Sequence, residues 1–174
     1  GKALVNSVTG EDERLEMILP LIKKYNAAVI GMANDESGIS PDPEYRLSVA
    51  RKIVQRAADH GIPASDIVID PLTLAIATDS QATKTTLETM RLIQRELGVN
   101  MACGASNVSF GLPDRSPINA AFISMAMQSG LTSAITDPTN AVIRQAILAT
   151  DLLLGKDDYA MNWIADFRKR IPQT

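Results

Sequence analysis

Apolar positions fall into short unbroken runs separated by stretches with helical spacing. Ala3-Leu4-Val5 opens the chain, and residues 11–25 then place Leu15, Ile18, Leu19 and Ile22 on one helical face. Thr9 and Asp12 form a Thr-x-x-acid start signal for that helix, and Pro20 inside it predicts a kink or a broken turn. A second run, Ala27 to Ala33, has strand length. Asp42-Pro43 then reads as an N-cap followed by proline at the first helical position. The helix it opens carries Leu47, Val49, Ala50, Ile53, Val54 and Ala57, and it stops at Gly61-Ile62-Pro63. Ile67-Val68-Ile69 is a third strand, followed by a helix from about Thr83 to Leu97 that Gly98 closes. Val99 to Cys103 is a fourth strand, and Ser116-Pro117 opens a helix ending at Gly130. Ser133-Ala134-Ile135 is a short fifth strand. Asp137-Pro138 starts a helix that closes at Gly155, and a last amphipathic helix, about 158–170, carries Trp163, Ile164 and Phe167.

Strand centres near residues 4, 30, 68, 102 and 133 recur at the length of a βα unit, about 30 residues. Apolar runs without polar alternation indicate strands buried on both faces, hence a parallel sheet. Two architectures fit this α/β pattern: a doubly wound open sheet, or part of a (β/α)8 barrel. Both bind ligands at the carboxyl ends of their strands. A polar residue stands at each such end: Asn6, Asn34-Asp35, Asp70, Ser106-Asn107 and Asp137.

Asn and Asp also cap helices, so each of these positions has a plain structural reading. Asp137, directly before Pro138, reads as a cap. Asp35, in the loop Asn34-Asp35-Glu36-Ser37-Gly38, stays open between turn former and site residue. Asn6 is not needed as a cap if Thr9 fills that role. Asp70 precedes Pro71, with no helical pattern for about ten residues. Asn107 lies about nine residues before a helix that Ser116-Pro117 can start. For Asn6, Asp70 and Asn107 the functional reading is the better one. A carboxylate accepts two parallel N–H bonds, and an Asn amide both donates and accepts. The set suits a flat heterocycle with mixed donors and acceptors, such as an amino-pyrimidinone edge.

Composition narrows the field. The 174 residues are 45% hydrophobic and 4% aromatic, so the core is aliphatic. A net charge of −3 argues against a nucleic-acid surface. One Cys and one His cannot build a Cys/His zinc cluster. His60 sits beside Gly61 as a last-turn helix residue, Cys103 reads as a buried core residue, and Met90, Met125 and Met127 as core filler. There is no Walker A, GxGxxG or GxSxG motif, so nucleotide-binding and nucleophile-elbow chemistries lose support. No signal-peptide pattern opens the sequence, and no apolar run reaches the roughly 18 residues a membrane span needs. The expectation is a cytoplasmic protein with neither nucleic acid nor membrane as partner.

Three stretches carry a family resemblance: Val5-Asn6-Ser7-Val8-Thr9-Gly10-Glu11; Ile69-Asp70-Pro71-Leu72; and Ser106-Asn107-Val108-Ser109-Phe110-Gly111-Leu112-Pro113 with Arg115 and Ile118-Asn119. Together they resemble the pterin-binding methyltransferases, which include methyltetrahydrofolate:corrinoid protein methyltransferases and the folate domain of cobalamin-dependent methionine synthase. The similarity runs from residue 3 to about residue 155, and the Ser-Asn-Val-Ser-Phe-Gly-Leu-Pro block is its most specific part. Dihydropteroate synthase is similar in fold. It has a Lys-containing motif where this chain has Asn107, and it ends in an Arg-x-His motif absent from Ala134-Ile135-Thr136-Asp137.

The resemblance implies a pterin-binding (β/α)8 barrel. Residues 1–174 form a single domain within it, matching strands four to eight, and about 90 residues for the first three strands have no counterpart. A piece of a longer protein is therefore expected. The implied reaction is transfer of the N5 methyl of methyltetrahydrofolate to Co(I) of a corrinoid (cobalamin), carried by a partner corrinoid protein. Asn107 is the implied catalytic residue, assisting N5. Asn6, Asp70, Ser109 and Arg115 are implied substrate contacts, and Asp35 joins them from its loop. A homodimer is expected, and no metal site in this chain. The alternatives are a dihydropteroate synthase-like enzyme, the folate domain of methionine synthase, or a non-catalytic pterin-binding module.

Overall fold

The structure is a computed structural model, and it describes residues 1–170. Five strands alternate with helices: β1 (Leu4–Val8), α1 (Asp12–Lys24), β2 (Ala28–Met32), α2 (Pro43–Asp59), β3 (Ile67–Asp70), α3 (Ala82–Glu96), β4 (Asn100–Gly104), α4 (Arg115–Gln128), β5 (Ser133–Ile135), α5 (Ala141–Leu153) and α6 (Met161–Arg170). All neighbouring strands pair in parallel, in the order β1-β2-β3-β4-β5. A doubly wound sheet needs a reversal of strand order, and none occurs here. Right-handed crossovers in one direction lay the connecting helices α1 to α4 on the same face of the sheet, an arrangement consistent with part of a barrel. The sheet is open: among the described residues β1 pairs only with β2, and β5 only with β4.

Register assigns each strand residue to a face. Leu4 pairs Ala28, Asn6 pairs Ile30, Ile30 pairs Val68, and Met32 pairs Asp70. Gly104 pairs Ile135 at the other edge. By the two-residue period of a strand, these side chains share the inner face. Val29, Ile67, Ile69 and Met101 point the other way, into the helical layer, where they are fully buried with Leu15, Leu47, Ile53, Met90 and Ile123. The inner face is closed only at its centre. Ile30 is 5% exposed, while the edge residues Leu4 and Ile135 are 53% and 58% exposed.

Gly31 has its place for a packing reason. A Cβ there would stand 2.8 Å from Ile53 Cγ2 and 3.2 Å from Ile69 Cδ1, so α2 lies close on β2 only because Gly31 has no side chain. Gly31→Val is expected to cost about 1–3 kcal/mol by overpacking. Urea unfolding checks this, and an unchanged midpoint would mean that the layer absorbs the extra volume.

Helix starts depart from the sequence expectations in three places. Thr9 caps nothing: α1 takes Glu11 as its N-cap residue, and the Thr9 hydroxyl is buried without a partner. β1 runs on to Val8, past Asn6, which carries the chain too far for Thr9 to stand at the cap. Asp137 does not cap α5. Its carboxylate accepts from Thr139 N (2.9 Å) and Thr139 Oγ1 (2.6 Å) in a local turn, which also holds its pKa down. Asn140 is the cap, accepting from Val142 N and Ile143 N. α4 begins at Arg115 without a side-chain cap, and Ser116 instead accepts from Asn140 Nδ2 at 2.8 Å.

Pro20 neither breaks α1 nor interrupts its span. It lies on the exposed face, where water can take up the carbonyl it leaves unpaired. The cap at Asp42 is as expected, accepting from Glu44 N at 3.0 Å with Pro43 first in the helix. In α6 the buried residue is Asp166, held by Arg144 and Arg170, while Ile164 and Phe167 are exposed.

Candidate active site at the carboxyl ends of the strands

β3 ends at Asp70, on the inner face of the sheet. Pro71 follows and forbids the strand from continuing its ladder. The chain turns through Leu72 at φ +67°, and the Leu72 N–H folds back to donate to Asp70 Oδ1 at 2.8 Å. Asp70 Oδ2 takes no donor among the described residues. Burial raises the Asp70 carboxyl above its ordinary value, with the Leu72 N–H and then the Arg46 guanidinium pulling it back.

β4 ends at Gly104, and residues 105–109 form a 3-10 turn that carries Asn107 into solvent. A Cβ on Gly104 would lie 3.1 Å from Asn107 Nδ2. The missing side chain thus lets the Asn107 carboxamide lie back over the end of β4, on the inner face that Asp70 also occupies. The Asn107 carboxamide makes no hydrogen bond among the described residues, so its donor and its acceptor are both available.

The turn is braced from behind. Ser109, fully buried, donates to Asn119 Oδ1 at 2.6 Å and accepts from Arg115 Nε at 2.9 Å. Arg115 also donates to the Ser106 carbonyl. Ile76 N donates to Val108 O at 2.9 Å, tying the turn to the loop after β3. The structure therefore places Ser109 and Arg115 behind Asn107 rather than beside it.

Asn6 stands exposed on β1, on the same face as Asp70, and the β1 end opens onto a cavity of about 280 Å³ lined by Ser7, Thr9, Glu11 and Arg14. Asp35 is committed to its own loop. One oxygen accepts from Ser37 N and Oγ, and the other from Tyr45 Oη at 2.8 Å. The Ser37 hydroxyl leads in holding its pKa down. Cys103 is fully buried, and burial pushes its thiol up to about 11, as suits a core residue. His60 lies at the far end of α2, against Glu16, at the opposite end of the sheet from Asp70.

Unsatisfied polar atoms concentrate at the strand carboxyl ends. Thr9 Oγ1, Asn34 Oδ1 and Thr136 Oγ1 are buried without a partner, and each follows a strand by no more than two residues. Such atoms have a solvation cost that a purely structural end would avoid.

Arg46 escaped the sequence reading. It is 1% exposed and donates only to backbone carbonyls: Nε to Ser40 O, and Nη1 to Pro71 O and Leu72 O. A signal was present, because Arg46 is in step with Ala50, Ile53 and Ala57 on the apolar stripe of α2.

Comparison with known proteins adds an independent line. Residues 1–137 match the model of a family described as pterin binding enzyme. The chain is 33% identical, over 171 residues, to a methylcorrinoid:tetrahydrofolate methyltransferase of Eubacterium limosum, covering 95% of this chain and 62% of that protein. It is 31% identical over 180 residues to a methionine synthase of Mycobacterium tuberculosis, covering 91% of this chain and 15% of that protein. A methionine synthase of Mycobacterium leprae is 32% identical over 148 residues, 78% of this chain and 12% of that protein.

Proposed function

The chain belongs to the pterin-binding enzyme family, and on that premise we propose that it is the folate-binding part of a methyltransferase. In this reading it transfers the N5 methyl of methyltetrahydrofolate to the Co(I) centre of a corrinoid carried by a partner protein. The observation that carries the reading is the pairing of Asp70, with Oδ2 free, and Asn107, with its carboxamide free, on one face at adjacent strand ends.

Each residue has a distinct part. Asp70 accepts N–H bonds from the pterin edge and fixes the ring in the plane of the mouth. Asn6 offers a mixed donor and acceptor from the next edge of the same face. Asn107 acts at N5. A tetrahydrofolate anion is a poor leaving group, so the methyl departs readily only when N5 carries positive character. The Asn107 oxygen accepts from a protonated N5, and its NH2 donates to a neutral one. N5 takes its proton from solvent on the way to the transition state, so the contact to the protonated form is stronger there than the contact to neutral bound folate, and a preorganised group of this kind lowers the barrier. The proton stays on N5 as the methyl leaves for cobalt.

The name of the Eubacterium limosum relative writes the transfer from methylcorrinoid to tetrahydrofolate. One site serves both directions, because forward and reverse share a transition state. His60, the lone histidine, lies at the wrong end of the fold to reach a cobalt at the mouth. The corrinoid is therefore brought by another protein or domain. Ser109, Arg115 and Asn119 hold the turn on which Asn107 stands.

Calorimetry with methyltetrahydrofolate tests the binding half of this proposal, and single-turnover loss of Co(I) absorbance tests the transfer. No detectable folate binding would overturn it. Gly104→Ala supplies a finer check. The new methyl would crowd Asn107 Nδ2 and push the carboxamide off the strand end, so the transfer rate is expected to fall at least tenfold with the fold intact. A Gly104→Ala protein transferring at the wild-type rate would remove the Asn107 side-chain position from the mechanism.

A further inference from the structure

We infer that Arg46 is a positioning residue for Asp70, acting through the one peptide group that lies between them. The inference rests on Asp70 being the pterin acceptor. The Pro71 carbonyl and the Leu72 N–H belong to the same peptide plane. Arg46 Nη1 donates to that carbonyl at 3.0 Å, and the N–H donates to Asp70 Oδ1 at 2.8 Å. A cation at one end of a peptide dipole and a carboxylate at the other polarise it in the same sense, so each bond strengthens the other. The plane cannot rotate without breaking both.

The next carbonyl is held as well. Leu72 O accepts from Arg46 Nη1 at 2.9 Å and from Thr86 Oγ1 at 3.0 Å. These donors stabilise a left-handed φ of +67° that a leucine does not adopt by preference. Arg46 Nε reaches in the other direction, to Ser40 O at 2.7 Å, so one buried guanidinium joins the loops after β2 and β3. A buried cation satisfied by neutral carbonyls alone is an uneconomical way to staple two loops. It gains its reason if its charge is also felt at Asp70. The other titratable group near Asp70 is Cys103, on the helix-facing side of β4, whose thiol burial pushes up to about 11 and so leaves neutral at ordinary pH. Arg46 is thus a cation that, together with the Leu72 N–H, offsets part of the burial that raises this half-buried carboxyl, and the peptide between them keeps it aimed.

Arg46→Met removes the charge and the three donated bonds at similar length. Its dissociation constant for methyltetrahydrofolate is expected to rise at least tenfold. The pH below which folate binding is lost is expected to move upward. Arg46→Lys keeps the cation but not the forked donors. It is expected to return the pH midpoint towards wild type while affinity stays reduced. A purely structural role would change thermal stability and leave the midpoint alone. A folded Arg46→Met protein with wild-type affinity and midpoint overturns the inference, as does Arg46→Lys failing to restore the midpoint.

If Arg46→Met does not fold, Thr86→Val removes one donor from Leu72 O and leaves the cation in place. Weaker folate binding at an unshifted midpoint is then expected, and unchanged affinity overturns the inference. Amide exchange at Leu72 in the unliganded chain needs no folate. It should be faster in Arg46→Lys and Thr86→Val, and wild-type exchange in both overturns the anchor. If the wild-type chain binds no folate, the proposed function falls, and Leu72 exchange still decides whether Arg46 sets this turn.

Discussion

Replacing Asn107 with Ala is expected to lower the single-turnover rate of methyl transfer by about 10²–10³, with a much smaller change in folate affinity. The asymmetry follows from where its carboxamide acts. In the bound ground state N5 is a weakly basic amine, and one neutral hydrogen bond to it is worth about 0.5–1.5 kcal/mol. In the transition state N5 carries a proton and a breaking bond, and the same carboxamide meets a charge. The amide has no ionisation in range, so the loss should persist across pH, while the pH profile itself follows folate N5. Stopped-flow absorbance of a Co(I) corrinoid protein reads the rate, and calorimetry reads the affinity. A variant that transfers at the wild-type rate and only binds folate more weakly would make Asn107 a binding residue and sink the mechanism. A variant unchanged in both would leave the turn after β4 with a structural role.

Asp70→Ala is expected to weaken methyltetrahydrofolate binding by about 1.5–3 kcal/mol, the worth of hydrogen bonds to a charged acceptor. That is roughly a tenfold to hundredfold rise in dissociation constant. Acid should act in the same direction. Burial raises the Asp70 carboxyl, so on acidification the ionised acceptor is lost at a higher pH than for an ordinary Asp. Folate binding should therefore decline as pH falls through that raised value, and Asp70→Asn should lack this decline. Stability has the opposite sign. A carboxyl whose pKa is raised by folding holds its proton more tightly in the folded state. Between the unfolded and folded values, the Asp70 contribution to stability falls as pH rises. Binding and unfolding followed over the same pH range separate the two effects. An acid limb that survives in Asp70→Asn would assign it to another group, and an unchanged affinity in Asp70→Ala would take Asp70 out of the site.

The alternation of strand and helix was legible because each element carries its own period, and apolar burial imposes that period locally. The runs at Ala27 to Ala33 and Ile67 to Ile69 have strand length and lie between helical patterns, and the structure has them as β2 and β3. Asp70 and Asn107 were legible for a related reason. Each is a polar residue at or just past the end of an apolar run with no helix start close enough to claim it; Asp70 ends β3, and Asn107 stands in the turn after β4, lying back over the inner face.

Other features depended on partners far away in sequence. That the strands lie in sequence order without the reversal of a doubly wound sheet is a tertiary fact. The choice of helix caps was misread at Thr9 and Asp137 because several residues in each loop could cap. Which one does depends on where the preceding strand stops, and β1 continues to Val8 because β2 pairs with it that far. Asp35, Ser109 and Arg115 have the polarity of site residues, but only their packing shows them tied to Tyr45, Asn119 and Ser106. Arg46 is the sharpest case. The sequence by itself determined that an arginine sits on the apolar stripe of α2. Only the approach of the turn after β3, 25 residues along the chain, decided that its charge is met by the Pro71 and Leu72 carbonyls, because a buried guanidinium takes whatever acceptors the fold delivers.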